Sequence, residues 1–135
     1  MNSIHNTLNT FSREISTFFD DHFKEFGLAT SYVELILLVK KSGDNCTQKE
    51  IAQKMNLDPS TITRFITKLQ KKGLVEKSRN GRLVSIQLTT KGEKLSVKAE
   101  KAYKKAEDEL EEKLGKPFLD TTEKLLKHGV SELET

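Results

Sequence analysis

Ser60, Arg64, Thr67 and Lys71 recur every three or four residues, so a helix would gather them on one face. Thr61, Thr63 and Lys68 flank that face, and Ile62, Phe65, Ile66 and Leu69 keep the same period on the opposite side. Such a polar face suits one kind of chemistry. Small hydroxyls let a helix enter a groove about 12 Å wide, a guanidinium grips a guanine edge at two points, and an ammonium neutralises phosphate. The first turns of a helix in a groove point at base edges, which makes Ser60, Thr61, Thr63 and Arg64 the candidate base contacts, with Thr67 further along. Ser60 and Thr61 also stand where they would help to cap the helix, and the two roles can coexist. Lys68 and Lys71 are candidate phosphate contacts, or solvated charges. Arg79 and Arg82 flank a hairpin tip, where arginine gains from the negative potential of a narrow minor groove. Without such a partner they would be a solubilising pair.

The elements that must hold these residues can be read in order. Thr47-Gln48-Lys49-Glu50 is a capping box and opens a short helix to about Met55. Asn56-Leu57-Asp58 breaks it, and Asn tolerates the left-handed conformation that such a turn requires. Asp58 is a good N-cap and Pro59 fits the first helical position, so the next helix runs from Pro59 to Lys72 and Gly73 stops it. Leu74–Ser78 and Arg82–Leu88 read as strands joined at Asn80-Gly81, with Val84, Ile86 and Leu88 alternating with Ser85 and Gln87. Helix, turn, helix and hairpin in this order form a winged helix-turn-helix.

The flanks are helical. Ile4, Leu8, Phe11, Ile15 and Phe18 define an amphipathic helix from Ile4 to Phe26, with an aromatic face and Gly27 as its stop. Ser31-Tyr32-Val33-Glu34 reads as a capping box for a buried helix from Tyr32 to Lys41. Thr90-Lys91-Gly92-Glu93 opens a helix to about Leu114, near 37 Å long, with a narrow stripe of Leu95, Ala99, Ala102, Ala106, Leu110 and Leu114. Phe118, Thr122, Leu125 and Leu126 carry a last helix. The fold class is therefore mainly α with a small β-hairpin wing. The expected organisation is one domain over 1–135, with the winged lobe at 31–92 and dimerisation helices at 1–30 and 93–135.

Composition narrows the function classes. The chain has 135 residues, 35% hydrophobic and 32% charged. From Thr47 to Gly92 ten basic residues face three acids, a net +7, whereas the rest of the chain carries −4. A basic centre on a near-neutral scaffold points to a polyanion. No apolar run reaches the roughly 18 residues of a membrane span, and the N-terminus lacks a signal-peptide layout, so a cytoplasmic, membrane-free protein is expected. The single Cys46 excludes an intrachain disulfide framework. There is no Gly-rich phosphate loop, His–Cys or Ser–His pairing, or convergent carboxylate cluster to suggest an enzyme, and neither a cofactor nor a metal is expected. His22 and His128 would meet at a zinc ion only by folding or across a dimer.

Thr47 through Leu69, the Lys72-Gly73-Leu74-Val75 exit, and Arg82 through Leu88-Thr89-Thr90-Lys91-Gly92 resemble the MarR (multiple antibiotic resistance regulator) family of bacterial transcription factors. The family's wing carries an Asp two residues before an Arg. Arg82 fits the Arg, but Asn80 stands in place of the Asp, so that salt bridge is lost. The resemblance implies a homodimer joined through its first and last helices, with each winged lobe on one half of an inverted repeat in double-stranded DNA. It also implies a repressor released by a small-molecule effector or another signal. The long Ala/Leu stripe and the aromatic first helix independently suggest more apolar surface than one chain covers, the alternative being a self-contained monomer.

No residues fix the signal. Phe11, Phe18 and Tyr32 are candidates to line an effector pocket or are plain core. Cys46 precedes the Thr47 cap, where a helix dipole can lower its pKa, so it reads either as a redox thiol or as a plain small residue; the family's peroxide sensors carry their cysteine near the N-terminus, which position 46 does not match. The competing reading is a winged-helix protein-interaction module without specific DNA binding; the hydroxyl and basic face favours DNA.

Overall fold

The computed structural model describes residues 2–134, which form six α-helices and one antiparallel hairpin. The helices are α1 (Ile4–His22), α2 (Thr30–Ser42), α3 (Gln48–Met55), α4 (Pro59–Lys71), α5 (Thr90–Leu114) and α6 (Lys116–Leu133). The hairpin strands β1 (Val75–Asn80) and β2 (Leu83–Leu88) lie between α4 and α5. The chain divides into two compact units, Met1–Tyr103 and Lys104–Thr135, and every candidate contact residue lies in the first.

In the first unit the core is built from α2, α3, α4 and the hairpin. Leu35 and Ile36 of α2, Ile51 of α3, Ile62, Ile66 and Leu69 of α4, and Ile86 of β2 are all buried. Each such side chain contributes about 1.5–3 kcal/mol of burial, so the period-3.6 apolar pattern of α4 fixes which face remains free. Phe65, expected on the buried face, is only half-buried.

The ends of the elements show where local chemistry held and where tertiary contacts replaced it. The Thr47 hydroxyl accepts from the Glu50 N–H at 3.2 Å, as its box requires. Asn56 closes α3 in the left-handed region at φ 53°, the only non-glycine residue with positive φ among those described. Asp58 takes the N-cap position of α4, but its side chain makes no capping hydrogen bond. The box at Ser31 does not form either. Helix α2 begins at Thr30, whose N–H and hydroxyl both donate to Asp20 Oδ1, at 2.8 and 2.6 Å. A carboxylate ten residues away thus supplies the cap that Ser31 was expected to give. Helix α1 stops at His22 rather than Phe26; Phe23 leaves helical geometry and 24–26 form a 3-10 turn that Gly27 closes. Breaking there turns Phe23 inward, where its ring stacks 5.8 Å from that of Tyr103.

The hairpin is tighter than the sequence suggests. Asn80 pairs with Leu83, so the two-residue turn is Gly81-Arg82, with Gly81 at φ 65°, not Asn80-Gly81. The alternation along β2 also fails at Ser85, which is buried and donates to the Ser78 carbonyl. The neighbouring Ile86 N–H donates to Cys46 O at 2.7 Å, an extra backbone bond on the far side of β2.

Three successive carbonyls leaving α4 are satisfied by the start of α5. Lys72 O accepts from Lys91 Nζ at 2.9 Å, Gly73 O from the Thr89 hydroxyl at 2.6 Å, and Leu74 O from the Thr89 N–H at 3.1 Å. The same Thr89 hydroxyl accepts from the Gly92 N–H at 3.0 Å, so Thr89 caps α5 one residue before the expected start. A Cβ on Gly92 would collide with the Leu74 carbonyl, which is why this helical position carries glycine. This clasp ties α4, the base of the wing and α5 together.

In the second unit, α6 buries none of its residues. Phe118, Leu125, Leu126 and Val130 are 45, 65, 41 and 45% exposed. Of the α5 stripe, Ala106 in this unit and Ala99 in the first are fully buried.

Candidate nucleic-acid interface

Helix α4 presents its candidate residues as one row. Ser60, Thr63, Arg64, Thr67, Lys68 and Lys71 are exposed, and Thr61 is half-buried. Their hydrogen bonds determine what each still has to offer. The Thr63 hydroxyl donates to Pro59 O at 3.0 Å, and the Thr67 hydroxyl to Thr63 O at 2.8 Å. With the proton turned back onto the helix, Thr67 offers an outside partner an acceptor. The Thr63 oxygen already accepts from Gln48 Nε2 at 3.2 Å. Arg64 Nη2 donates to the Thr61 hydroxyl at 3.2 Å, which braces the guanidinium along the helix and keeps further N–H groups for a ligand. Thr61 in turn retains its own proton to donate.

Lys68 and Lys71 lie in the last turn of α4, where cations suit the helix dipole. Lys68 Nζ sits 4.8 Å from the centroid of the Tyr32 ring. Arg82 occupies the exposed hairpin tip itself, and Arg79 lies in β1 opposite Val84; the tip is therefore at Arg82 rather than between the two arginines. Among the described residues neither arginine is held by an ion pair, in keeping with Asn80 where an acid would brace Arg82.

Gln48 is the residue that sequence reasoning missed. In the sequence it stands only as the second member of a capping box. The structure puts it at the first position of α3, beside Thr63, at the mouth of an open groove of about 480 Å³ between α3 and α4. A polar residue following a Thr cap was the one available signal, and it does not reveal which α4 residue it meets.

The other candidates are placed differently. The Cys46 thiol is buried and its pKa is raised, chiefly by burial, with Ser42 and Lys54 opposing and Glu50 adding to the shift. The shift is opposite to the lowering expected at a helix terminus: burial disfavours the thiolate. Phe18 packs on His22 at 5.0 Å and on Phe19 at 5.9 Å, and Tyr32 on Phe65 at 4.4 Å. Among the described residues no cluster of three or more His, Cys, Asp or Glu could hold a metal, and no helix is long and apolar enough to cross a membrane.

Comparison with known proteins agrees with this architecture. Residues 33–82 match the model of the MarR family. The HTH-type transcriptional regulator SarZ of Staphylococcus epidermidis is 32% identical over 85 residues, which is 60% of this chain and 56% of SarZ. An HTH-type transcriptional regulator of Bacillus cereus is 26% identical over 83 residues, 62% of this chain and 56% of its own. The alignments thus span little more than half the length of these relatives. Among solved structures, the S. aureus MepR–DNA complex superposes with a TM-score of 0.82 at 19% identity, covering 97% of this chain and 96% of MepR. The repressor CouR bound to p-coumaroyl-CoA gives 0.81 at 21% identity, covering 93% and 89%. Those two likenesses establish the winged-helix fold.

Proposed function

We propose, on the premise that residues 33–82 are a MarR-family segment, that the chain is a DNA-binding transcriptional regulator whose α4 reads the major groove. The observation that carries this reading is the free face of α4: its apolar side is completed within the chain, and its outward side is polar, with Ser60, Thr63, Thr67 and Gln70 beside Arg64, Lys68 and Lys71. In this reading Ser60, Thr61, Thr63, Arg64 and Thr67 meet base edges, Lys68 and Lys71 meet phosphates, and Arg79 and Arg82 follow the minor groove. The net +7 from Thr47 to Gly92 supplies the long-range attraction.

The finer reading is a homodimeric repressor on an inverted repeat. The exposed apolar residues of α6 support a second copy, and two lobes would then set their recognition helices about 34 Å apart on one DNA face. Release by a small effector is supported by the likeness to CouR, whose structure holds p-coumaroyl-CoA. A bacterial regulator of this kind works in the cytoplasm, where its DNA is.

A selection of genomic fragments with purified protein at near-physiological salt, read by sequencing, tests the proposal. Recovery of one inverted repeat is the expected result. Random fragments whose binding vanishes as salt rises would instead favour the protein-interaction reading, because only phosphate attraction would remain.

A further inference from the structure

Tyr32 belongs to the first turn of α2 yet touches two residues of α4. Its ring lies 4.4 Å from that of Phe65, and Lys68 Nζ stands 4.8 Å from its centroid. Phe65 and Lys68 are three apart, so they are neighbours on the helix surface where its buried side meets its free side. Tyr32 therefore grips the edge of the proposed recognition face. The half-buried Phe65 gives it an apolar seat, and any bulky side chain would fill that role. The ammonium needs something more specific, since among apolar side chains only an aromatic face attracts a cation.

The choice of a ring matters electrostatically. A lysine stem has four rotatable bonds, and a free Lys68 would spread its charge over many positions. A carboxylate would restrain it but would cancel the charge that a phosphate must meet. A ring restrains the ammonium and leaves the full positive charge in place. Among the described residues no ion pair engages Lys68, so the ring has no carboxylate competitor. Tyr32 is itself fixed through α2, whose N-terminus is bound at Thr30 by the Asp20 carboxylate of α1.

We propose that Tyr32 is a positioning residue for DNA binding, holding the charged Lys68 in register with the α4 face so that it reaches phosphate already oriented. This rests on the reading of α4 as the DNA-contacting helix. The test is a double-mutant cycle, with affinity measured by fluorescence anisotropy on a selected duplex. Tyr32→Phe keeps the ring and is expected to bind like the parent. Tyr32→Leu keeps the seat for Phe65 but loses the ring, and is expected to bind about two- to fivefold more weakly. In a Lys68→Ala background, Tyr32→Leu should cost nothing further. Proton NMR supplies a readout independent of DNA: the Lys68 ε-methylene protons should be shifted upfield in the parent and in Tyr32→Phe, and not in Tyr32→Leu. Equal losses from Tyr32→Leu in both backgrounds would overturn the proposal, since Tyr32 would then act through packing alone. Loss of the upfield shift with unchanged affinity would overturn it while leaving the DNA reading intact. A parent chain that binds no duplex at any salt would overturn the DNA reading, and this role with it.

Discussion

Helices α4 and α6 are both amphipathic, but their apolar faces have opposite fates. Ile62, Ile66 and Leu69 of α4 are 0, 1 and 0% exposed, whereas Leu125, Leu126 and Val130 of α6 are 65, 41 and 45% exposed. The chain completes α4 and leaves α6 uncovered. What remains free on α4 is polar and has hydrogen-bonding groups to offer; the exposed Leu125, Leu126 and Val130 of α6 have only area to bury. In the proposed reading the same amphipathic pattern serves two ends: the first helix meets DNA through specific groups, the second meets another copy through apolar burial. The contrast predicts that damage to the first unit alters folding or recognition, and damage to α6 alters assembly.

The largest effect should come from breaking the clasp that completes α4. Gly92→Ala forces a methyl group against the Leu74 carbonyl backbone, which cannot swing aside as a side chain would. We expect a loss of about 3 kcal/mol or more and a fall in Tm of about 10 °C, measured by circular dichroism. An unchanged Tm would mean that the junction of α4, the wing and α5 is slack, and that α4 is less firmly set than the comparison requires.

Next in size is the α6 face. Leu126 and Val130 are one turn apart on exposed positions, so Leu126→Glu with Val130→Glu should leave the first unit folded. In the proposed dimer the same pair buries two charges. Sedimentation should show a monomer, and affinity for a two-half-site duplex should fall by about 100-fold because the half-sites are no longer linked. A double variant that remains dimeric would place the interface elsewhere.

These positions also show what the sequence made legible. Period and cap chemistry placed α3, the Asn56 turn and α4 closely, because those signals are local: a Thr hydroxyl three residues from an N–H, a side chain that tolerates positive φ, and apolar residues on one face. The same period that buries Ile62, Ile66 and Leu69 turns Ser60, Arg64, Thr67 and Lys71 outward. Errors arose where a distant group decided the outcome. Asp20 caps α2 in place of Ser31, and Phe23, where α1 ends, stacks on Tyr103 eighty residues on; the hairpin is a local miss, since Asn80 pairs with Leu83 and the turn falls on Gly81-Arg82. Gln48 meets Thr63 and Lys68 meets Tyr32 across helices, so neither contact has a local signature. Burial likewise reversed the expected direction for Cys46.

The smallest effects divide the α4 face itself. Arg64 is braced by Thr61 in the second turn, while Lys71 ends the helix with its ammonium exposed. If Arg64 reads a base edge, Arg64→Ala should cost about 1–3 kcal/mol on the selected duplex and much less on a random one. If Lys71 meets a phosphate, Lys71→Ala should weaken both duplexes alike and reduce the slope of log K against log salt by about one. Titrating both variants on both duplexes at several salt concentrations separates the roles. Equal losses on the two duplexes for Arg64→Ala would move that residue into the phosphate set. An unchanged slope for Lys71→Ala would end the recognition face at Lys68, the lysine that Tyr32 holds, and leave Lys71 to complement the helix dipole alone.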